Sequence, residues 1–400
     1  MSEQSSFDAG QFRLSTGGFY YTLLTRIGFL KEGEYCIKRR ILLLLAVTLL
    51  PLLLLSGFEG TLFPGQTGIP FLTDSSMIPK YLVGVPLLVV AGPAIDARLS
   101  ELLGALPRFG FFDDKGLEEF GTSVDRILEV KDSYLADIVI TVIGITTMLF
   151  LVGNPLVFEL YEGSSGWAST PGPEGAELTL TGYWAVSVSA TIVLVLMLRW
   201  FWRYLLWLAF MFRLSRQKFK LQASHPDLSG GLGVFANAQS IFVVIFLALG
   251  VFISATMSAE MRLSLMTLSE LQGFIFGFIA VSLILMVLPL FFFAPLLIKT
   301  KRSGRVKYGL LGSKLSAAFE EKRLRTDEKE WGPKLLESGD SSAVCDYKDV
   351  YGAVRDIRVV PVNLKDLIAT GVLLVVPFVP LVLIGVPVKE LFNRLLQVLL

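Results

Sequence analysis

A chain of 400 residues that is 53% hydrophobic and 18% charged, with a formal net charge of +1 and a mean hydropathy of +0.63, lies far above the apolar content of a water-soluble domain. Its apolar residues come in runs long enough to cross about 30 Å of hydrocarbon, and runs such as 41–55 and 283–293 lack the alternating polarity of a membrane-spanning strand. A soluble protein and a membrane β-barrel are both excluded, which leaves an all-α, polytopic membrane protein of six to seven spans with proline-bent helices and a small helical cytoplasmic layer.

Residues 1–40 form a polar arm rich in Ser and Gly. Its apolar patches, Phe19–Leu24 and Ile27–Leu30, suit either a stretch lying along the membrane surface or a partly ordered tail. Seven apolar stretches follow near 41–57, 81–97, 135–156, 183–203, 235–255, 270–298 and 367–387. The first is flanked by Lys38-Arg39-Arg40 like a signal peptide, but no small-x-small cleavage site follows, so it is expected to be retained.

The outer connections 58–80 and 157–182 are rich in Gly, Pro, Ser and Thr and read as irregular loops. The acidic connection 98–134 reads as two amphipathic helices, 94–105 and 117–134, the second running straight into the third span. In the fourth stretch, Tyr183-Trp184 and Trp200-Phe201-Trp202 resemble aromatic belts at the two membrane surfaces. A helix rising 1.5 Å per residue separates them by about 27 Å, the depth of a bilayer core. Arg199 and Arg203 then fall at the inner surface. After the sixth stretch, 299–366 is basic; Leu311, Leu315 and Phe319 predict an amphipathic helix, and 357–362 a short strand. The last unit, 367–400, is a proline-rich final segment with an amphipathic C-terminal stretch. It either crosses fully or turns back.

The 36 Lys and Arg residues sort to one side of these spans. Six lie in the arm, five in 98–134, six in 199–234 and fifteen in 299–366, whereas the intervening connections hold Lys80 and Arg262. Retention of Lys and Arg on the cytoplasmic face predicts that the N-terminus, the connections 98–134 and 204–234, and the 299–366 region face the cytoplasm. Both cysteines, Cys36 and Cys345, then lie on the reducing side, and no disulfide is expected.

The densest chemistry lies between Arg199 and Gly233. Arg199, Arg203 and Arg213 form a basic helical stripe beside Trp200, Trp202 and Trp207. It reads as an anion or anionic-lipid site, or as a snorkelling helix end anchored by aromatics. The turn that follows holds the single histidine, His225, with Asp227, Gly230, Gly231 and Gly233. It reads as an anion cradle at a helix N-terminus, or as a structural turn capped by Asp227 or Ser229. At this run the chain resembles a family of bacterial inner-membrane proteins marked by a Trp/Arg-rich helix and His-Pro-Asp-x-x-Gly-Gly-Leu-Gly. The likeness extends to Val85–Leu88 and 126–137, and implies no activity, because none is established for that family.

No catalytic motif, metal set or cofactor site is present in the sequence; a lipid-directed enzyme using Asp96, Asp132, Asp137 and His225 is the remaining enzymatic reading. Pro86, Pro93, Pro289, Pro377 and Pro380 mark candidate gating bends. The leading expectation is a pore- or channel-like homo-oligomer with a basic cytoplasmic vestibule. A non-conducting scaffold or sensor that binds a cytoplasmic protein or anionic lipid competes with it, and a secondary transporter is the third reading. Membrane lipids are expected partners and nucleic acid is not.

Overall fold

The computed structural model describes residues 12–31, 34–64, 69–152, 166–172, 175–262, 266–323 and 340–385. In chain order its elements are α1 (Gly18–Arg26), α2 (Ile37–Phe58), α3 (Met77–Phe109), α4 (Asp114–Lys131), α5 (Tyr134–Leu151), and the hairpin β1 (Ser169–Gly172) with β2 (Gly175–Leu178). There follow α6 (Leu180–Ser215), α7 (Gly233–Arg262), α8 (Leu268–Phe291), α9 (Ala294–Arg323), α10 (Asp340–Arg355) and α11 (Leu364–Ile384). Among the described residues, seven helices, α2, α3, α5, α6, α7, α8 and α11, are long and apolar enough to cross a membrane. The chain is an all-α integral membrane protein, and each predicted apolar stretch has its helix.

One helix organises the others. With 36 residues, α6 is about 54 Å long, so part of it rises beyond the hydrocarbon at the end of the bundle where the basic residues gather. Its side chains donate to neighbours along its whole length: Trp184 Nε1 to the Val47 carbonyl at 3.1 Å, Ser189 Oγ to that of Thr48 at 2.8 Å, Trp200 Nε1 to that of Leu88 at 2.9 Å, Tyr204 OH to that of Leu285, and Trp207 Nε1 to Gln239 Oε1 at 2.6 Å.

Two of these acceptors are produced by prolines. A proline leaves the carbonyl four residues before it without its helical donor. Pro51 frees Val47 and Pro289 frees Leu285, and Trp184 and Tyr204 cover them. Around Pro51 the helix breaks at Leu49. Pro289 lies inside α8 and Pro93 inside α3, with Pro86 at the start of its regular part. Pro377 sits in a single 3₁₀ turn, Val376–Phe378, with Pro380 opening the next. In hydrocarbon no water can satisfy a freed carbonyl, so the bends are stable only where a neighbouring helix supplies a donor.

Several expectations are corrected. The separate helix 94–105 is the continuation of α3. Helix α4 ends at Lys131 with Asp132 as its cap, so it does not run into α5. The sixth span ends at Phe291, and α9 starts after a turn at 292–293. Residues 357–362 are not a strand: they lie against the 225–233 turn, with Arg358 N donating to the Leu228 carbonyl at 2.8 Å, and offer no edge partner. The packed face of α9 holds Gly304, Tyr308 and Gly312; of the expected stripe, Leu315 and Phe319 are half-buried and only Leu311 turns outward. Tyr308 OH donates to Ser224 Oγ at 3.0 Å, Gly304 and Gly312 admit Ala223 and the Tyr347 ring, and Leu311 is exposed. The 157–182 connection carries the β1–β2 hairpin, and its Trp167 packs edge-on against Phe71. The residues 163–165 and 388–400 lie outside the described ones.

Replacing Tyr204 with Phe strands the Leu285 carbonyl and should cost about 1 kcal/mol. Pro289→Ala restores a helical donor there, so the Tyr204→Phe effect should shrink in the Pro289→Ala background. Unfolding in mixed micelles, run as a double-mutant cycle, measures the coupling.

Candidate functional site

From Phe12 on, the described part of the N-terminal arm packs into the bundle, while Phe19, Leu23 and Ile27 of its apolar patches stay exposed, as a stretch along the membrane surface would leave them. Phe12 and Leu14 are buried, and the segment Ser15–Gly18 threads between α3, α5 and α6 at the basic end. Gly17 and Gly18 have φ of 92° and 78°, a left-handed geometry that costs glycine nothing. A Cβ on Gly17 would strike the Asp132 carboxylate, and one on Gly18 that of Asp137. Two glycines are therefore required both by backbone shape and by space.

The arm is held by its own backbone. Asp96, on α3 and 1% exposed, accepts from Ser15 N at 2.9 Å, Ser15 Oγ at 2.5 Å and Tyr35 OH at 3.0 Å. Asp137, in the first turn of α5, accepts from Phe19 N at 2.7 Å, which places a carboxylate at the positive end of α1. The same carboxylate pairs with Arg199 Nε at 3.2 Å. One turn further along α6, Arg203 Nη2 donates to the Ser15 carbonyl at 2.6 Å, and its guanidinium lies 5.1 Å from the Trp200 ring centroid. Arg199 covers the Tyr20 ring at 4.9 Å, and Tyr20 OH is bonded to Thr141 Oγ1. Lys131 Nζ donates to the Arg13 carbonyl at 2.9 Å and lies 3.2 Å from Asp132. Burial lowers the Lys131 ammonium below its ordinary value, with Asp132 opposing. Burial raises the Tyr35 phenol, and the Asp96 charge adds to it.

Two narrow clefts flank the arginine pair. One is lined by Thr16, Gly17, Lys131, Asp137, Arg199, Trp202 and Arg203; the other includes Arg40, Gly92, Trp200 and both arginines. Each has room for about one water molecule. Of the stripe read from the sequence, Arg199, Arg203, Trp200 and Trp202 come together here. Arg213 is exposed on a later turn, and Trp207 is core, stacked on Phe210 at 5.5 Å.

The glycine turn is a separate structure. The Asp227 carboxylate accepts from Ser229 N at 2.8 Å, Gly231 N at 3.1 Å and Gly233 N at 2.9 Å, so the N–H groups of the expected anion cradle are turned onto the chain's own carboxylate. His225 Nδ1 lies 2.8 Å from Asp227 Oδ1. Gly231 has φ 96°, and a Cβ there would press 2.7 Å from the Phe111 ring. Burial works against the Asp227 charge, but the three backbone donors outweigh it and hold the carboxyl below its ordinary range. The four groups considered for lipid chemistry do not assemble: His225 belongs to this turn, whereas Asp96, Asp132 and Asp137 border the arm. Among the described residues, no three His, Cys, Asp or Glu side chains form a metal-ligand group.

The residues that reading the sequence alone left out are Ser15, Gly17, Gly18, Tyr20, Tyr35, Arg40 and Lys131. Their one legible signal was a carboxylate in each of two apolar stretches, Asp96 and Asp137, since an ionised group near hydrocarbon needs a partner.

Gly18→Ala should undock the arm and speed tryptic cleavage at Arg13 and Arg26 several-fold in detergent-solubilised protein, with the spans intact by circular dichroism. For the turn, Asp227→Ala should cost about 2 kcal/mol, as three charge-assisted bonds are lost. A carboxyl lowered in the folded state stabilises above its unfolded value, near 3.9, and that contribution disappears as pH falls through the lower folded value. The stability gap between wild type and Asp227→Asn should therefore be flat from pH 7 to about 5 and close below about 4. A gap that widens in acid would remove this account.

Comparison with protein-family models, with curated proteins and with solved structures gives no match for the chain.

Proposed function

We propose that the chain is a pore- or channel-like protein of the bacterial inner membrane, with its basic end in the cytoplasm, held closed by its own N-terminal arm. The supporting observation is the irregular Ser15–Gly18 backbone set between three membrane helices, against two buried carboxylates, the buried Arg203 and the partly buried Arg199. Non-helical backbone at membrane depth is tolerated where it is enclosed by protein or lines a wet cavity, and ionisable groups within spans mark pathways for polar solutes. A plug that bonds to the walls through main-chain groups can be withdrawn without breaking the helices around it.

The orientation rests on the partition of Lys and Arg. Membrane lipid and further copies of the chain are the expected neighbours of the exposed apolar faces of α5 and α8, and a homo-oligomer is the assembly in which such a pore is completed. The rival reading is a non-conducting scaffold or sensor, in which a cytoplasmic protein binds the basic layer and arm withdrawal is the signal. It is favoured by the narrowness of the two clefts beside the arginine pair, each with room for about one water.

Planar-bilayer recording separates the two. A variant lacking residues 1–30 should show discrete conductance well above that of the full chain, and Arg203→Glu should shift its ion selectivity toward cations. Silence of both proteins across voltage, pH and tension discards the pore and leaves the sensor.

A further inference from the structure

Three guanidinium groups from two helices meet on one cleft: Arg40 from the start of α2, and Arg199 and Arg203 from α6. The carboxylates facing them are Asp96 and Asp137, so with all five groups ionised one positive charge is left over. The pairing is uneven as well. Asp137 binds Arg199, and Asp96 is occupied by Ser15 and Tyr35. Arg203, 8% exposed, has a neutral carbonyl as its hydrogen-bond acceptor. Among the described residues, no carboxylate lies within 4.0 Å of either Arg203 or Arg40. A further donor borders the neighbouring cleft, which shares Arg199 and Arg203: the Trp202 indole N–H is sealed from solvent and has no acceptor. Buried donors of this strength are costly to leave unmatched.

We propose that Arg40, Arg199 and Arg203 form a binding site for a phosphate-type anion entering from the basic end, and that the anion takes the place of the Ser15 carbonyl on Arg203. The planar forks of arginine match the oxygens of a phosphate group in a way a single ammonium does not. Leu88, Val89 and Leu196 supply an apolar floor, and Gly92 leaves the α3 backbone open, the Ser15 hydroxyl lying 3.0 Å from where its Cβ would be. Because the clefts hold about one water each, a phosphate fits only when Ser15 moves out. Anion binding and arm docking are therefore competitive, and each must weaken the other by the same factor. The source of the phosphate is either an anionic lipid headgroup, for which the depth of Arg40 beside its helix start is suited, or free phosphate.

The site does not depend on conduction, and its test is binding. Full-length protein in a neutral detergent is titrated with phosphatidylglycerol and, separately, phosphatidylcholine by native mass spectrometry, and with inorganic phosphate by calorimetry. Wild type should bind phosphatidylglycerol, inorganic phosphate or both in preference to phosphatidylcholine. Arg40→Gln and Arg203→Gln should each weaken that binding by about ten- to a hundredfold, and Arg213→Gln should not. Arg203→Lys, which keeps the charge and a donor for Ser15, guards against misfolding and should still bind less tightly than wild type. Saturating ligand should also speed tryptic cleavage at Arg13. Binding of phosphatidylglycerol alone identifies the lipid as the source, and binding of inorganic phosphate identifies the free anion. The proposal is overturned if neither binds wild type, if Arg213→Gln weakens binding as much as Arg203→Gln, or if ligand leaves arm cleavage unchanged. A channel-silent protein that passes these tests keeps the anion site and loses only the pore.

Discussion

Everything in this bundle depends on a rule of its solvent: inside hydrocarbon, a polar group has no water to fall back on. Helix α6 is where the rule is met. Its indoles, hydroxyls and guanidiniums reach carbonyls or carboxylates on α2, α3, α5, α8 and the N-terminal arm. Two of those carbonyls are free only because prolines four residues later lack an N–H. The bends of α2 and α8 are thus tied to the aromatic residues of another helix, and neither feature is stable alone. This places a limit on the bends as hinges, since straightening or deepening one requires a Trp or Tyr to find another acceptor.

The charged end follows from the same constraint. Two aspartates and two arginines brought together near the membrane surface need more than each other, because desolvating ions costs more than one contact returns unless the remaining valences are filled. The arm fills them with main-chain N–H and C=O groups. That choice has a consequence for reversibility. A peptide segment offers neutral dipoles, whereas a solute anion offers charge to the same guanidiniums, so the docked arm is a weaker partner for Arg203 than an anion is. Gly17 and Gly18 keep the arm thin enough to enter, and their close approach to Asp132 and Asp137 makes it sensitive to a single added methyl group.

The glycine turn shows the opposite outcome for a similar set of parts. There the donors of a helix start are met by Asp227 from within the turn itself, the Leu228 carbonyl accepts from Arg358 N in the segment beyond α10, and the Ile357 carbonyl of that segment accepts from Lys301 of α9. His-Pro-Asp and Gly-Gly-Leu-Gly hold two cytoplasm-side segments against the bundle in the proposed orientation.

How much of this was legible in the sequence follows from the range of each interaction. The seven spans depend on length and hydropathy, which are local, and the side on which Lys and Arg gather depends on their position along the chain; both could be read directly. The role of the aromatic residues on the fourth span was not local: Trp200, expected in a belt, is buried with its Nε1 on the Leu88 carbonyl. The arm could not be read, because its Ser, Gly and Tyr residues look like a tail until Asp96 and Asp137, 81 and 118 residues away, are brought to it. Arg213 and Arg203 look alike on a helical wheel, and only the neighbours of α6 separate an exposed arginine from a buried one. What the sequence by itself determined was the solvent and the number of helices, since these are sums over contiguous residues. Which polar groups meet was left to the tertiary structure, because a hydrogen bond in a membrane is satisfied by whichever helix packs alongside.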